Sequence, residues 1–154
     1  MKKLVLAMII IGTVLMLNES EAQACSCDLP LGNLTLKELV KKAHKQSRAV
    51  FVGKVIEILR APARYMVTVK FRVENSWKGP LAKEITLSTG RGGGDCGYQF
   101  EVGERYLVYA YGSDETTLAT NICQRTSVAT VVIEEIKLLG KGKLPSKSRS
   151  PLAL

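Results

Sequence analysis

Hydrophobic and polar positions recur along this chain with two different periods, and the switches between them mark the elements. Leu36, Leu39, Val40, Ala43 and Ser47 follow one another at helical spacing, which predicts an amphipathic helix over about residues 35–47. Thr35-Leu36-Lys37-Glu38 supplies its start, because Thr and Glu in a capping box each satisfy the other's free backbone N–H. From Ala49 the period falls to two. Ala49 to Leu59 and Tyr65 to Val73 are rich in β-branched and aromatic residues and read as strands. In the second, Tyr65, Val67, Val69, Phe71 and Val73 share one face, opposite Met66, Thr68, Lys70 and Arg72. Turns are expected at Arg60 to Ala63, Ser76 to Pro80 and Glu101 to Glu104. Glu84 to Ser88, Arg105 to Tyr111 and Leu118 to Cys123 complete a set of five strands, and Val128, Val131, Val132, Glu135, Ile136 and Leu139 mark a second helix. Five short strands with flanking α-helices in one small domain predict a mainly β fold, a closed five-stranded barrel of the OB type.

The first 24 residues follow neither period. Lys2 and Lys3 precede an apolar run, Leu4 to Leu17, and a polar stretch ending Ala22-Gln23-Ala24. This is the form of a signal peptide with a small-x-small cleavage site between Ala24 and Cys25. The run is shorter than the roughly 20 residues that span a bilayer, so no transmembrane segment is expected after processing. The expected product is secreted, to the extracellular space or the periplasm, with residues 25–139 as its folded domain and 140–154 as a basic, disordered tail.

The chain carries a net charge of +8. Removing the leader takes away Lys2, Lys3, Glu19 and Glu21, which leaves that balance unchanged. The basic residues, clustered at Lys37, Lys41, Lys42 and Lys45 and again in the tail, are not interleaved with aromatics. No specific nucleic-acid partner is therefore expected, only weak adhesion to polyanions or anionic surfaces. His44 is the only histidine and falls on the polar side of the first helix, where it reads as a solvated surface residue, so neither the side-chain cluster of a zinc enzyme nor a Ser-His-Asp arrangement is expected. Gly92 to Gly97 matches a dinucleotide-binding glycine pattern, but a cysteine and a strand-like segment follow it instead of a helix. Its glycines are read as allowing positive φ or a close backbone approach.

All four cysteines, Cys25, Cys27, Cys96 and Cys123, lie beyond the leader. Redox chemistry, soft-metal binding and long-range bridges are the three readings of Cys25-Ser26-Cys27, and export favours bridges. Each bridge from residues 25 and 27 to the distant pair would close a long loop, worth roughly 4–5 kcal/mol in the chain-entropy account. In an extended segment residues 25 and 27 point to one side and Ser26 to the other. Cleavage before Cys25 also creates an α-amine with a pKa of about 7.7–8.0, substantially neutral at working pH, next to a backbone carbonyl. Amine and carbonyl together can chelate a metal ion with open positions, such as the zinc of a metalloprotease.

Cys-x-Cys at the mature N-terminus, Phe51-Val52-Gly53 in the first strand, Asp95-Cys96-Gly97-Tyr98 after a loop and Ile122-Cys123 after the last strand resemble the inhibitory domain of the tissue inhibitors of metalloproteinases. That domain is a netrin-like module with an OB fold. The resemblance spans about residues 25–125, and the lysine-led signal and single short domain match a bacterial member. It implies bridges Cys25–Cys96 and Cys27–Cys123, chelation of a target protease's zinc by Cys25, and entry of Ser26 into the pocket beyond the scissile bond. Cys25, Ser26, Cys27, Asp28, Leu29 and Pro30 would then contact the protease together with Gly94, Asp95 and Cys96. Where the family usually has an apolar residue and proline after the second cysteine, this chain has Asp28-Leu29-Pro30. The implied protein is an inhibitor of zinc metalloendopeptidases, with no catalytic chemistry and no cofactor of its own. The alternative is a non-inhibitory netrin-like module that binds a protein or a polyanion.

The secreted protein is expected to begin at Cys25 and to carry no free thiol. N-terminal sequencing and a thiol titration under denaturing conditions check this; two or more thiols would favour the redox or metal-carrier reading.

Overall fold

In a computed structural model, residues 25–27, 32–60, 65–114 and 117–146 are described. Residues 1–24, 28–31 (with Asp28, Leu29 and Pro30), 61–64, 115–116 and 147–154 lie outside them. The described residues are mainly β, with two α-helices among them. Helix α1 (Leu36–Gln46) starts as its sequence dictates: Thr35 N–H donates to Glu38 Oε2 at 2.8 Å, and Glu38 N–H to Thr35 Oγ1 at 3.3 Å. It ends where Ser47 turns extended, its N–H and hydroxyl both donating to the Ala43 carbonyl. Val40 is its fully buried residue, while Leu36, expected on the same face, is 40% exposed.

Strands β1 (Ala49–Leu59), β2 (Val67–Lys78), β3 (Glu84–Thr89), β4 (Arg105–Ala110) and β5 (Ser127–Val128) form one antiparallel sheet in the order β3-β2-β1-β4-β5. Strand β1 is central, paired with β2 on one side and β4 on the other. Register shifts on the β2 side, between Val50 and Phe51, Val52 and Gly53, and Val55 and Glu57, bend it. Its first half is buried on both faces. Phe51 and Val55 join Val69, Phe71, Leu87, Tyr106 and Val108 in one core, while Val50 and Val52 join Leu107 and Tyr109 beneath the helices. A run of five buried residues, Ala49 to Gly53, replaces simple alternation for that reason.

Several sequence expectations change. Strand β2 continues past Ser76 to Lys78, because the first residues of β1 still need partners: Phe51 faces Ser76 and Val50 faces Lys78. The turn moves to Gly79, whose φ of 88° suits a glycine. Leu118 to Cys123 does not form a strand. Ala119 bridges Tyr111 on one side and Ser88 on the other, and the chain then turns at Ile122 and Cys123. The second helix is cut to α2 (Ile133–Leu139), since Ser127 and Val128 pair with Leu107 and Tyr106 as β5. The ladders thus run open from β3 to β5 and do not themselves close a barrel. After Gly140 the chain runs beside β2 and then past its end: Ser76 and Lys143 exchange backbone hydrogen bonds of 2.9 and 2.7 Å, Trp77 Nε1–H donates to the Gly140 carbonyl at 2.8 Å, and Ser146 N–H donates to the Leu81 carbonyl at 2.9 Å. Among the described residues no helix is long and apolar enough to cross a membrane.

The larger core carries an aromatic chain that matters for the site. Phe51 meets Phe71 edge-on at 5.5 Å, Phe71 meets Phe100 at 5.2 Å, and Phe100 lies 4.6 Å from Tyr98 and 4.8 Å from Tyr106. Phe71 is fully buried at its centre. Phe71→Ala is expected to cost about 3–5 kcal/mol of unfolding free energy, read by denaturant titration, through lost contacts and an unfilled cavity.

Candidate functional site

Cys25 and Cys27 are half-buried and Ser26 between them is exposed. Two disulfides hold the segment: Cys25–Cys96 and Cys27–Cys123, each with Cα atoms 5.2 Å apart. The bridges span sequence separations of 71 and 96 residues, so residues 25–27 are fastened to two loops that the sheet positions.

The first loop runs from β3 to the Tyr98–Phe100 segment. It contains a single 3₁₀ turn, Gly93–Asp95, after which Cys96 adopts φ of 58°. Cys96 is the one non-glycine residue with positive φ among the described residues, a conformation that costs an L-residue roughly 1–2 kcal/mol. Asp95 organises the turn from within. Its carboxylate accepts hydrogen bonds from the backbone N–H groups of Arg91 at 2.6 Å, Gly92 at 2.9 Å and Gly97 at 2.9 Å. Glycine is required where the loop is tightest: Gly92 has φ of 93°, and a Cβ on Gly97 would collide with the Gly90 carbonyl. These are the two uses that the glycine run suggested. Beyond the loop, Tyr98 N–H donates to the buried Thr89 hydroxyl at 2.8 Å, and the aromatic rings carry the chain into the core.

The second loop lies alongside the first. Ile122 N–H donates to the Cys96 carbonyl at 2.9 Å, and Cys123 N–H is held by Asn121 Oδ1 at 3.0 Å. Arg125 then pairs with the buried Glu135 of α2, its Nε–H donating to Glu135 Oε2 at 3.1 Å. A groove of about 510 Å³ opens behind the second bridge, between α1, α2 and this loop, with Lys42, Gln46, Arg125 and Glu135 on its walls.

The fold therefore brings Cys25, Ser26 and Cys27 together with Cys96 and, through the same loop, Gly94 and Asp95. Ser26, Gly94 and Asp95 are exposed. The Asp95 carboxylate is turned onto its own loop. Asp28, Leu29 and Pro30 lie outside the described residues. Thr89, Asn121 and the Arg125–Glu135 pair give no signal in the sequence; a threonine closing a strand or an arginine ten residues before a helical glutamate carries no pattern of its own. The sulfurs of Cys25, Cys96 and Cys123 lie within 4.8 Å of one another, but all are in disulfides, so the described residues offer no thiolate to a metal.

The Gly97 N–H, then that of Arg91, holds the Asp95 carboxyl below its ordinary value of 3.8. A depressed folded-state pKa means the loop gains stability above pH 3.8 and loses it as pH falls through the folded-state value. The expected NMR titration of Asp95 has its midpoint below 3.8, and the amide signals of Arg91, Gly92 and Gly97 shift with it. A midpoint at or above that value would show that the carboxylate is not held by the loop.

Compared with known proteins, the chain matches no protein-family model, and no curated protein sequence matches it.

Proposed function

We propose that this is an exported inhibitor of zinc metalloendopeptidases that acts through its own N-terminus. The observation that carries the reading is the double fastening of Cys25 and Cys27 to neighbouring loops, with Ser26 left exposed between them. Signal cleavage before Cys25 creates an α-amine at a covalently fixed point, and the amine and the Cys25 carbonyl take two open positions on the target's zinc. Ser26 enters the adjoining specificity pocket. Cys27, Asp28, Leu29 and Pro30 continue the contact on one side, and Gly94, Asp95 and Cys96 flank it on the other. A disulfide-bonded ridge suits this role because it resists both proteolysis and reordering, so little conformational entropy is lost on binding.

The fold that belongs to this reading is the netrin-like OB barrel. It is supported by residues 118–120, which hydrogen-bond to Ser88 of β3 through Leu118 O and Thr120 N–H, and to Tyr111 just beyond β4 through Ala119. One short segment thus joins the two ends of the four-stranded part of the sheet around the Phe71 core.

The mature protein is titrated against a panel of zinc metalloendopeptidases beside a form with one alanine added before Cys25. The added residue displaces the amine and leaves both bridges intact. Inhibition by the native form, weakened at least about 100-fold in the extended form (roughly 2.7 kcal/mol), is the expected result. Equal inhibition by both would overturn the chelation mechanism. No inhibition by either would replace this reading with the non-inhibitory binding module.

A further inference from the structure

The two disulfides lie closer together than fastening alone requires. The Sγ atoms of Cys25 and Cys96, which share one bridge, and of Cys123, from the other, all fall within 4.8 Å of one another. A thiolate at Cys123 would need to move only a short way to reach bonding distance of either sulfur in its neighbour. Of the four cysteines, Cys123 is the exposed one, while Cys25, Cys27 and Cys96 are half-buried. Access therefore favours attack by a soluble reductant on the Cys27–Cys123 bridge.

We propose that these sulfurs form a thiol-exchange site, in which opening of the Cys27–Cys123 bridge by a dithiol makes Cys123 the nucleophile that displaces Cys25 from Cys96. In the first step the dithiol reduces Cys27–Cys123: both cysteines become thiols and the dithiol becomes its cyclic disulfide. In the second, the Cys123 thiolate attacks Cys96 Sγ. The Cys96–Cys123 bond forms, the Cys25–Cys96 bond breaks, and Cys25 leaves as a thiolate that takes up a proton. One disulfide remains, two thiols are gained, and one dithiol has been oxidised.

One feature directs the attack to Cys96 instead of Cys25. The backbone beside Cys123 is already joined to Cys96, through the 2.9 Å hydrogen bond from Ile122 N–H to the Cys96 carbonyl. The product keeps its two loops cross-linked and frees residues 25–27 from the body of the domain. Resting on the inhibitor reading, the exchange is also an off-switch, because the chelating terminus loses its fixed position while the sheet stays intact.

The oxidised mature protein is treated with limiting dithiothreitol at pH 8, quenched in acid, alkylated and mapped by peptide mass spectrometry. The first one-bridge species is expected to carry label on Cys25 and Cys27 and to retain a Cys96–Cys123 peptide. Label on Cys27 and Cys123 with Cys25–Cys96 intact, or on Cys25 and Cys96 with Cys27–Cys123 intact, would overturn the proposal. So would a Cys25–Cys123 peptide. Cys27→Ala provides a second measurement, since its three cysteines leave Cys123 free without any reductant: most of the label is expected on Cys25, and label confined to Cys123 would overturn the exchange. The mapping reads sulfur connectivity alone, so a failed inhibition assay leaves its result unaffected.

Discussion

Residues 25–27 belong to no strand or helix, and their position is set by where the sheet places Cys96 and Cys123. A disulfide transmits position only as well as its anchor is held, and the two anchors are held differently. Cys96 sits in a turn ordered by an internal carboxylate, immediately before a segment tied to the end of β3 by Thr89 and to the core by Tyr98 and Phe100. Cys123 follows the segment that bridges β3 and the residue beyond β4, and precedes the Arg125–Glu135 pair that fastens its loop to α2. The hydrogen bond from Ile122 to Cys96 couples the two anchors, so the segment is referred to a single rigid frame.

That frame depends on β1. Its first half, paired on both edges and buried on both faces, leaves its neighbours little freedom of register, since a slip of one residue would put Val50 and Val52 in the place of Phe51 in the larger core. The cost of the unusual backbone at Cys96 is carried in the same way. A conformation disfavoured by roughly 1–2 kcal/mol persists when surrounding contacts over-determine it. Here the bridge to Cys25, the Ile122 hydrogen bond and the Asp95–Gly97 contact all act within one residue of the strained position.

The sequence revealed most where a local pattern and the tertiary fold agree. The Thr35–Glu38 capping box, the alternation of Val67, Val69, Phe71 and Val73, and the need for glycine at positions 92 and 97 all appear in the structure for the reasons that made them visible. It misled where pairing overrode local preference. Ser76 to Pro80 has turn composition, yet Ser76 and Lys78 extend β2 because β1 supplies partners. Leu118 to Cys123 has strand composition, yet only Ala119 makes bridges on both sides before the chain turns toward its disulfide. Val128 fits the period of the following helix and instead pairs with Tyr106. The disulfide partners could be named only through the resemblance, since spacing alone leaves three pairings open, whereas Thr89, Asn121 and Glu135 act through contacts that no spacing encodes.

A chelating terminus uses backbone atoms, an amine and a carbonyl, that any residue could provide; the sequence must supply only what fixes them. This gives Asp95 a particular place in the proposal. An unsatisfied carboxylate beside a metal-binding terminus would compete as a ligand and would meet the acidic groups common around a protease's metal with like charge. Three N–H donors turned inward onto that carboxylate keep its charge occupied with the loop. The residue can then lie exposed beside the ridge and serve chiefly to set the shape of the turn. On this account selectivity lies in Ser26 and the residues that follow Cys27, while Asp95, Gly97 and the two bridges determine only that these residues arrive at a fixed place and angle.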